Sequence, residues 1–132
     1  MELLIVVIVI SVLSAIALPR FINSGVRSKE ASLKADLKIY RNAIQLFSND
    51  TGAYPATLNA LSASAAPSSG LDNTGAVRAI AAADWKGPYL DTVMNDPVSS
   101  AGFTYSVASP TVGKVTSSAA GNATDGTPYG TW

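Results

Sequence analysis

Nine carboxylates, five lysines and a scatter of serines are the main reactive side chains of this 132-residue chain, which has no histidine and no cysteine. Without histidine, the usual general base and the commonest transition-metal ligand are both missing. Without cysteine there is no thiol nucleophile, thiolate metal site or disulfide framework. A serine nucleophile would need a lysine to activate it, and no Ser–Lys spacing singles out such a pair. Haem has no His or Cys ligand here. Catalysis is therefore not expected. One carboxylate stands out for other chemistry: Glu2, at the edge of an apolar run.

The run beside Glu2 reads LLIVVIVISVLSAIAL over residues 3–18 and ends at Pro19. A helix that is apolar on every face must be buried in lipid or among other helices. At about 1.5 Å of rise per residue this one covers roughly 24 Å, short of a ~30 Å hydrocarbon core, so it is marginal as a permanent anchor. A secretory signal peptide would end in an A-x-A site, as Ala15-Ile16-Ala17 does, but its positive n-region is absent and Glu2 occupies that place. A plain single-pass anchor is the other ordinary reading. Neither accounts for Glu2.

Charge is zero overall and uneven along the chain. Residues 20–41 hold six basic side chains (Arg20, Arg27, Lys29, Lys34, Lys38, Arg41) against two acidic ones (Glu30, Asp36), whereas residues 42–132 hold three basic against six acidic. A basic collar beside an apolar helix suits anionic headgroups or acidic surfaces of neighbouring copies. Nucleic acid is not expected as a partner, because these cations alternate with helix-core positions and form no dense patch.

These elements must be positioned by a long rod. Val26, Leu33, Leu37, Tyr40, Ile44 and Phe47 follow one another at intervals of seven, four, three, four and three residues, which places them on one face of an α-helix. Asn49-Asp50-Thr51-Gly52 and Tyr54-Pro55 end it. Pro19 removes a hydrogen bond to the carbonyl of Ala15, and a kink is expected there.

Beyond Gly52, residues 55–61 read as a short helix with Leu58 and Leu61 facing the rod, residues 62–75 as a flexible surface loop, and residues 76–85 as another short helix. Residues 103–107 alternate as a half-buried strand, with a second strand near residues 112–116. The expected fold class is α+β: a long N-terminal helix with an apolar front and an amphipathic back, carrying a small head of short helices and an antiparallel β-sheet. The expected division is a stalk over residues 1–53, with membrane or filament core at 1–19 and the amphipathic part at 20–53, and a head over 54–132.

The segment MELLIVVIVISVLSAIALPRF resembles the N-terminus of type IV pilins and of the major pseudopilins of type II secretion. Fragments of the head fit in order: Asn49-Asp50-Thr51-Gly52-Ala53-Tyr54-Pro55, Trp85-Lys86-Gly87-Pro88-Tyr89-Leu90, Asn95-Asp96-Pro97, and Asp125-Gly126 followed by Trp132. Val98-Ser99 departs from the Trp-Gly usual after the Asp-Pro pair in the pseudopilin branch. The resemblance implies a leader removed by prepilin peptidase, a methylated mature N-terminus lying ahead of Met1, and apolar helices packed in the core of a helical filament.

On that reading Glu2, Ser11, Ser14 and Pro19 serve filament assembly. A carboxylate buried in an apolar bundle is costly unless paired, and the terminal amine of an adjacent subunit is a suitable cation for Glu2. A glutamate facing the positive end of its own helix is the alternative. The resemblance further implies calcium at Asp125, with a plain Asp-Gly turn as the other reading. Asp91 and Asp96 are expected to be solvated or capping residues. The implied partners are copies of the same chain, the inner membrane before assembly, and the assembly machinery. The implied location is an inner-membrane monomer with a periplasmic head, then an extracellular or periplasmic filament. The function expected is that of a subunit of a type IV pilus-like filament, with a secretion pseudopilus and a monomeric membrane-tethered binding domain as alternatives.

Overall fold

In the computed structural model a single helix α1 spans Glu2–Thr51. The structure describes all residues except Leu18 and Pro19, so the kink expected at Pro19 lies outside the described residues. The helix ends where the turn formers predict. Gly52 takes up the left-handed conformation at φ 68° and donates its N–H to the carbonyl of Ser48, a backbone state that a side chain would strain. Thr51 seals the same end by donating its hydroxyl to the carbonyl of Phe47 at 2.7 Å.

The back of α1 forms one wall of the core. Leu33, Leu37, Tyr40, Ala43, Ile44 and Phe47 are buried against Leu61, Ile80, Leu90, Phe103, Val115 and Tyr129 from the rest of the chain. At about 1.5–3 kcal/mol for each large apolar side chain removed from water, this stripe is the main force docking the head. Tyr40 adds direction to it. Its ring lies 4.9 Å from that of Phe103, and its hydroxyl donates to the carbonyl of Met94 while accepting from the Met94 N–H. Val26 does not join this wall and is 37 % exposed.

The head is built from short pieces. A 3₁₀ turn at Leu58–Ser62 buries Leu61. Strand β1 (Ser69–Leu71) pairs antiparallel with β2 (Val77–Ala79), with Gly70 opposite Arg78. Strand β3 (Thr104–Tyr105) pairs antiparallel with β4 (Val115–Thr116), with Tyr105 opposite Val115. A second 3₁₀ turn, Tyr129–Thr131, ends the chain.

The hairpin β1–β2 overturns two expectations, the flexible loop at 62–75 and the helix at 76–85. The deciding group is Asp72. Its Oδ1 accepts from the Thr74 N–H at 2.8 Å, the Thr74 hydroxyl at 2.6 Å and the Ala76 N–H at 3.0 Å. Gly75 completes the turn at φ 87°. A ten-residue alanine-rich segment is too short to hold a helix alone, so this turn and the strand pairing prevail. Strand β1 is also tied to the end of the stalk, because Tyr54 and Leu71 exchange backbone hydrogen bonds at 2.7 and 2.8 Å.

Candidate functional site

Two features invite a functional reading: the uncovered front of α1 and the C-terminal segment folded against its middle. On the front, the large apolar side chains between residues 3 and 16 are 50–82 % exposed, and Phe21 and Ile22 beyond them are 76 and 66 % exposed. The most apolar eighteen-residue window of the helix has a mean hydropathy of 2.6, and none of it is buried within the chain. By length and composition it can cross a membrane. Glu2 lies exposed in the first turn of α1, where the unpaired N–H groups of the helix favour a negative charge. Ser11 donates its hydroxyl to the Val7 carbonyl at 2.7 Å, which satisfies it within the helix and lets it face an apolar surrounding. Ser14 is exposed on the same front.

All six cations of the basic collar are exposed along α1. Two of them also reach the head: Arg41 donates to the Val115 carbonyl at 3.3 Å, and the Lys34 ammonium sits 4.2 Å above the ring of Trp132.

The C-terminal segment is held by a residue that the sequence reading counted only as a charge. Glu30 is 6 % exposed. Its Oε1 accepts from the Thr124 N–H and the Tyr129 hydroxyl, each at 2.8 Å, and its Oε2 accepts from the Thr124 hydroxyl at 2.6 Å. The Thr124 hydroxyl lowers the Glu30 pKa most, burial works against it, and the Thr124 amide and Tyr129 hydroxyl add to the lowering. Burial, and then the same contact with Glu30, pushes the Tyr129 phenol up.

Asp125 is exposed and is used by its own turn. Its Oδ1 accepts from the Thr127 hydroxyl at 2.6 Å and the Thr127 N–H at 2.9 Å, which hold its carboxyl below the usual range. These residues do not fit calcium. The ion takes six to eight oxygen ligands, several of them commonly carboxylates, whereas residues 121–132 hold one carboxylate. Both oxygens of the nearby Glu30 already accept hydrogen bonds. Among the described residues no three carboxylates converge.

Asp96, expected to be solvated or capping, is buried and caps the N–H groups two and three residues further on. It is 0 % exposed. Oδ1 accepts from the N–H groups of Val98 and Ser99 at 2.7 and 3.2 Å, and Oδ2 accepts from the Ser118 N–H at 3.1 Å and from the Ser117 hydroxyl. Burial alone would push its carboxyl up, but these four bonds outweigh it and leave the pKa lowered. Its role is to fasten the loop after Asp96 to the chain leaving β4. Asp91 is exposed.

Among the described residues the arrangement thus shows no nucleophile paired with a base. It offers a long apolar surface without a cover and a head clasped to the helix behind it. The family model described as type II secretion system (T2SS), protein G matches residues 20–131. No curated protein and no solved structure matches the chain.

Proposed function

This chain belongs to the family of type II secretion system protein G, and from that premise we propose that it is a non-catalytic structural subunit that polymerises through the front of α1 into the short periplasmic filament of a secretion system. The observation that carries the reading is the run of large apolar side chains over residues 3–16, at least half exposed on every face. Water is an unfavourable environment for that surface, at about 1.5–3 kcal/mol for each large side chain. The monomer is held in the inner membrane by the front of α1, with the head in the periplasm. Assembly exchanges lipid for the same helices of neighbouring copies, and release into solvent between the two states is disfavoured. Of the filaments weighed from the sequence, the family favours the secretion pseudopilus over the surface pilus.

Within that assembly Glu2 sets register by pairing with a cation of the next subunit, an arrangement favoured because an unpaired carboxylate in an apolar bundle is costly. Ser11, Ser14 and Pro19 are assigned to filament assembly on the same reading. Prepilin peptidase and the secretion assembly machinery are the implied partners. The test is Glu2→Ala expressed at native level in cells carrying the secretion system, examined by electron microscopy of the envelope and sheared fractions. The variant is expected to insert in the membrane with a folded head and to form no filaments. Normal filaments from it would remove the registry role. Wild-type chain that stays monomeric under the same conditions would favour a tethered binding domain instead.

A further inference from the structure

The C-terminal segment presents hydrogens, not lone pairs, to the point where it meets α1. The Thr124 amide, the Thr124 hydroxyl and the Tyr129 hydroxyl converge within 2.6–2.8 Å of one carboxylate. A cation site needs the opposite polarity, with oxygen lone pairs facing a common centre. The segment is closed on itself by the Ala123 N–H to the Thr127 carbonyl at 2.8 Å and the Tyr129 N–H to the Gly121 carbonyl at 3.2 Å. Its end is pinned by Trp132, whose indole N–H donates to the Thr127 hydroxyl at 2.8 Å and whose ring lies 5.4 Å from that of Tyr129. Both Glu30 oxygens and the Asp125 Oδ1 already accept hydrogen bonds from this segment.

We infer that Glu30 is the anionic latch of this segment: a carboxylate carried by the stalk closes residues 121–132 onto α1 and does so without a metal ion. The groups around it agree. Lys34, one turn further along α1, covers the face of Trp132. Asp125 is the like charge nearby, and it is turned to its own amide and hydroxyl donors at Thr127. Charge-assisted bonds of this kind are stronger than neutral ones, and three on one carboxylate fix both the loop and the rotation of the head about the helix. The latch spans 94 and 99 positions of sequence, so it ties the last residues of the chain to the stalk directly. This inference stands whether or not the filament reading holds.

The experiment uses the full chain in detergent micelles at neutral pH, with calcium chloride or with excess EGTA, and reads amide hydrogen exchange over residues 121–132 together with the thermal midpoint. Wild-type protein is expected to show the same protection and the same midpoint in both. Glu30→Gln should speed exchange in this segment by about tenfold or more, leave protection at β3 and β4 in place, and gain nothing from calcium. Tyr129→Phe, which keeps the ring and removes one donor, should give a smaller change in the same segment, and it decides the matter if Glu30→Gln does not fold. Two results overturn the inference. One is slower exchange or a raised midpoint in wild type on adding calcium. The other is unchanged exchange in Tyr129→Phe, alone or alongside Glu30→Gln.

Discussion

Between residues 3 and 16 every large apolar side chain of α1 is at least half exposed, whereas Leu33, Leu37, Tyr40 and Phe47 on the same helix are 1 % exposed or less. The front is the more apolar of the two stretches, and the two also differ in the angular spread of their apolar groups. The back has one stripe at three- and four-residue intervals, and a small head can cover a stripe completely. The front is apolar all round, so a single flank could not cover it, and its partner has to come from outside the chain.

The sharpest way to break this comparison is to truncate one side chain in each half. Phe47→Ala removes a ring that is 0 % exposed and stacks edge-on to Tyr89 at 5.5 Å. It should cost roughly 3–5 kcal/mol, a large share of a small domain's whole stability. Ile10→Ala, at a position 58 % exposed, should change head stability by no more than about 0.5 kcal/mol. Denaturant unfolding of the full chain in micelles, followed by tryptophan fluorescence, measures both. Equal losses would mean that the front is packed within the chain.

A smaller effect separates the buried polar ties from the apolar stripe. Asp96→Asn places an amide NH₂ against N–H donors, since both carboxylate oxygens accept from backbone amides, and should cost about 1–3 kcal/mol at neutral pH. The folded-state pKa of Asp96 is lowered, so its contribution is present above the ordinary carboxylate range and is lost as pH falls through it, below about 4. The gap between wild type and Asp96→Asn should therefore be widest near neutrality and close in acid. Asp36 on α1 works in the opposite sense, because burial and the charge of Asp96 push its carboxyl up. A gap that stays constant down to low pH would show that Asp96 is not ionised in the folded head.

What could be read from the chain followed from the same contrast. The all-apolar run, the helix end at Gly52 and the strands near residues 103–107 and 112–116 rest on local composition and spacing, and the structure carries them. The hairpin β1–β2 was missed because alanine content suggested helix, while the controlling interaction was one carboxylate closing its own turn. Glu30 was missed although a signal was present. The stripe 33, 37, 40, 44, 47 continues backward by three to residue 30, not by seven to Val26, which is exposed. A charged side chain on a buried stripe needs partners. Its partners lie at Thr124 and Tyr129, and no local pattern could have named residues so far along the chain.

The finest division runs through the basic collar, where the two halves of α1 meet. Lys34 and Lys38, one turn apart on α1, are both exposed, and Lys34 lies over the ring of Trp132. Coverage of an aromatic face by an exposed ammonium is worth about 0.5–1 kcal/mol. Lys34→Ala should therefore lower head stability by about that amount, and Lys38→Ala should stay within about 0.5 kcal/mol of wild type. Replacing Lys34 with methionine keeps most of the stem and removes the charge, so it separates packing from attraction. Trp132 fluorescence should respond to both Lys34 variants and not to Lys38→Ala. If the two lysines behave alike, the collar serves the membrane side of the helix throughout, and the boundary between covered and uncovered helix belongs after Lys34. If only Lys34 matters, the head already claims the helix from Glu30 onward, and the cations left for headgroups or neighbouring subunits begin with Arg20 and Arg27.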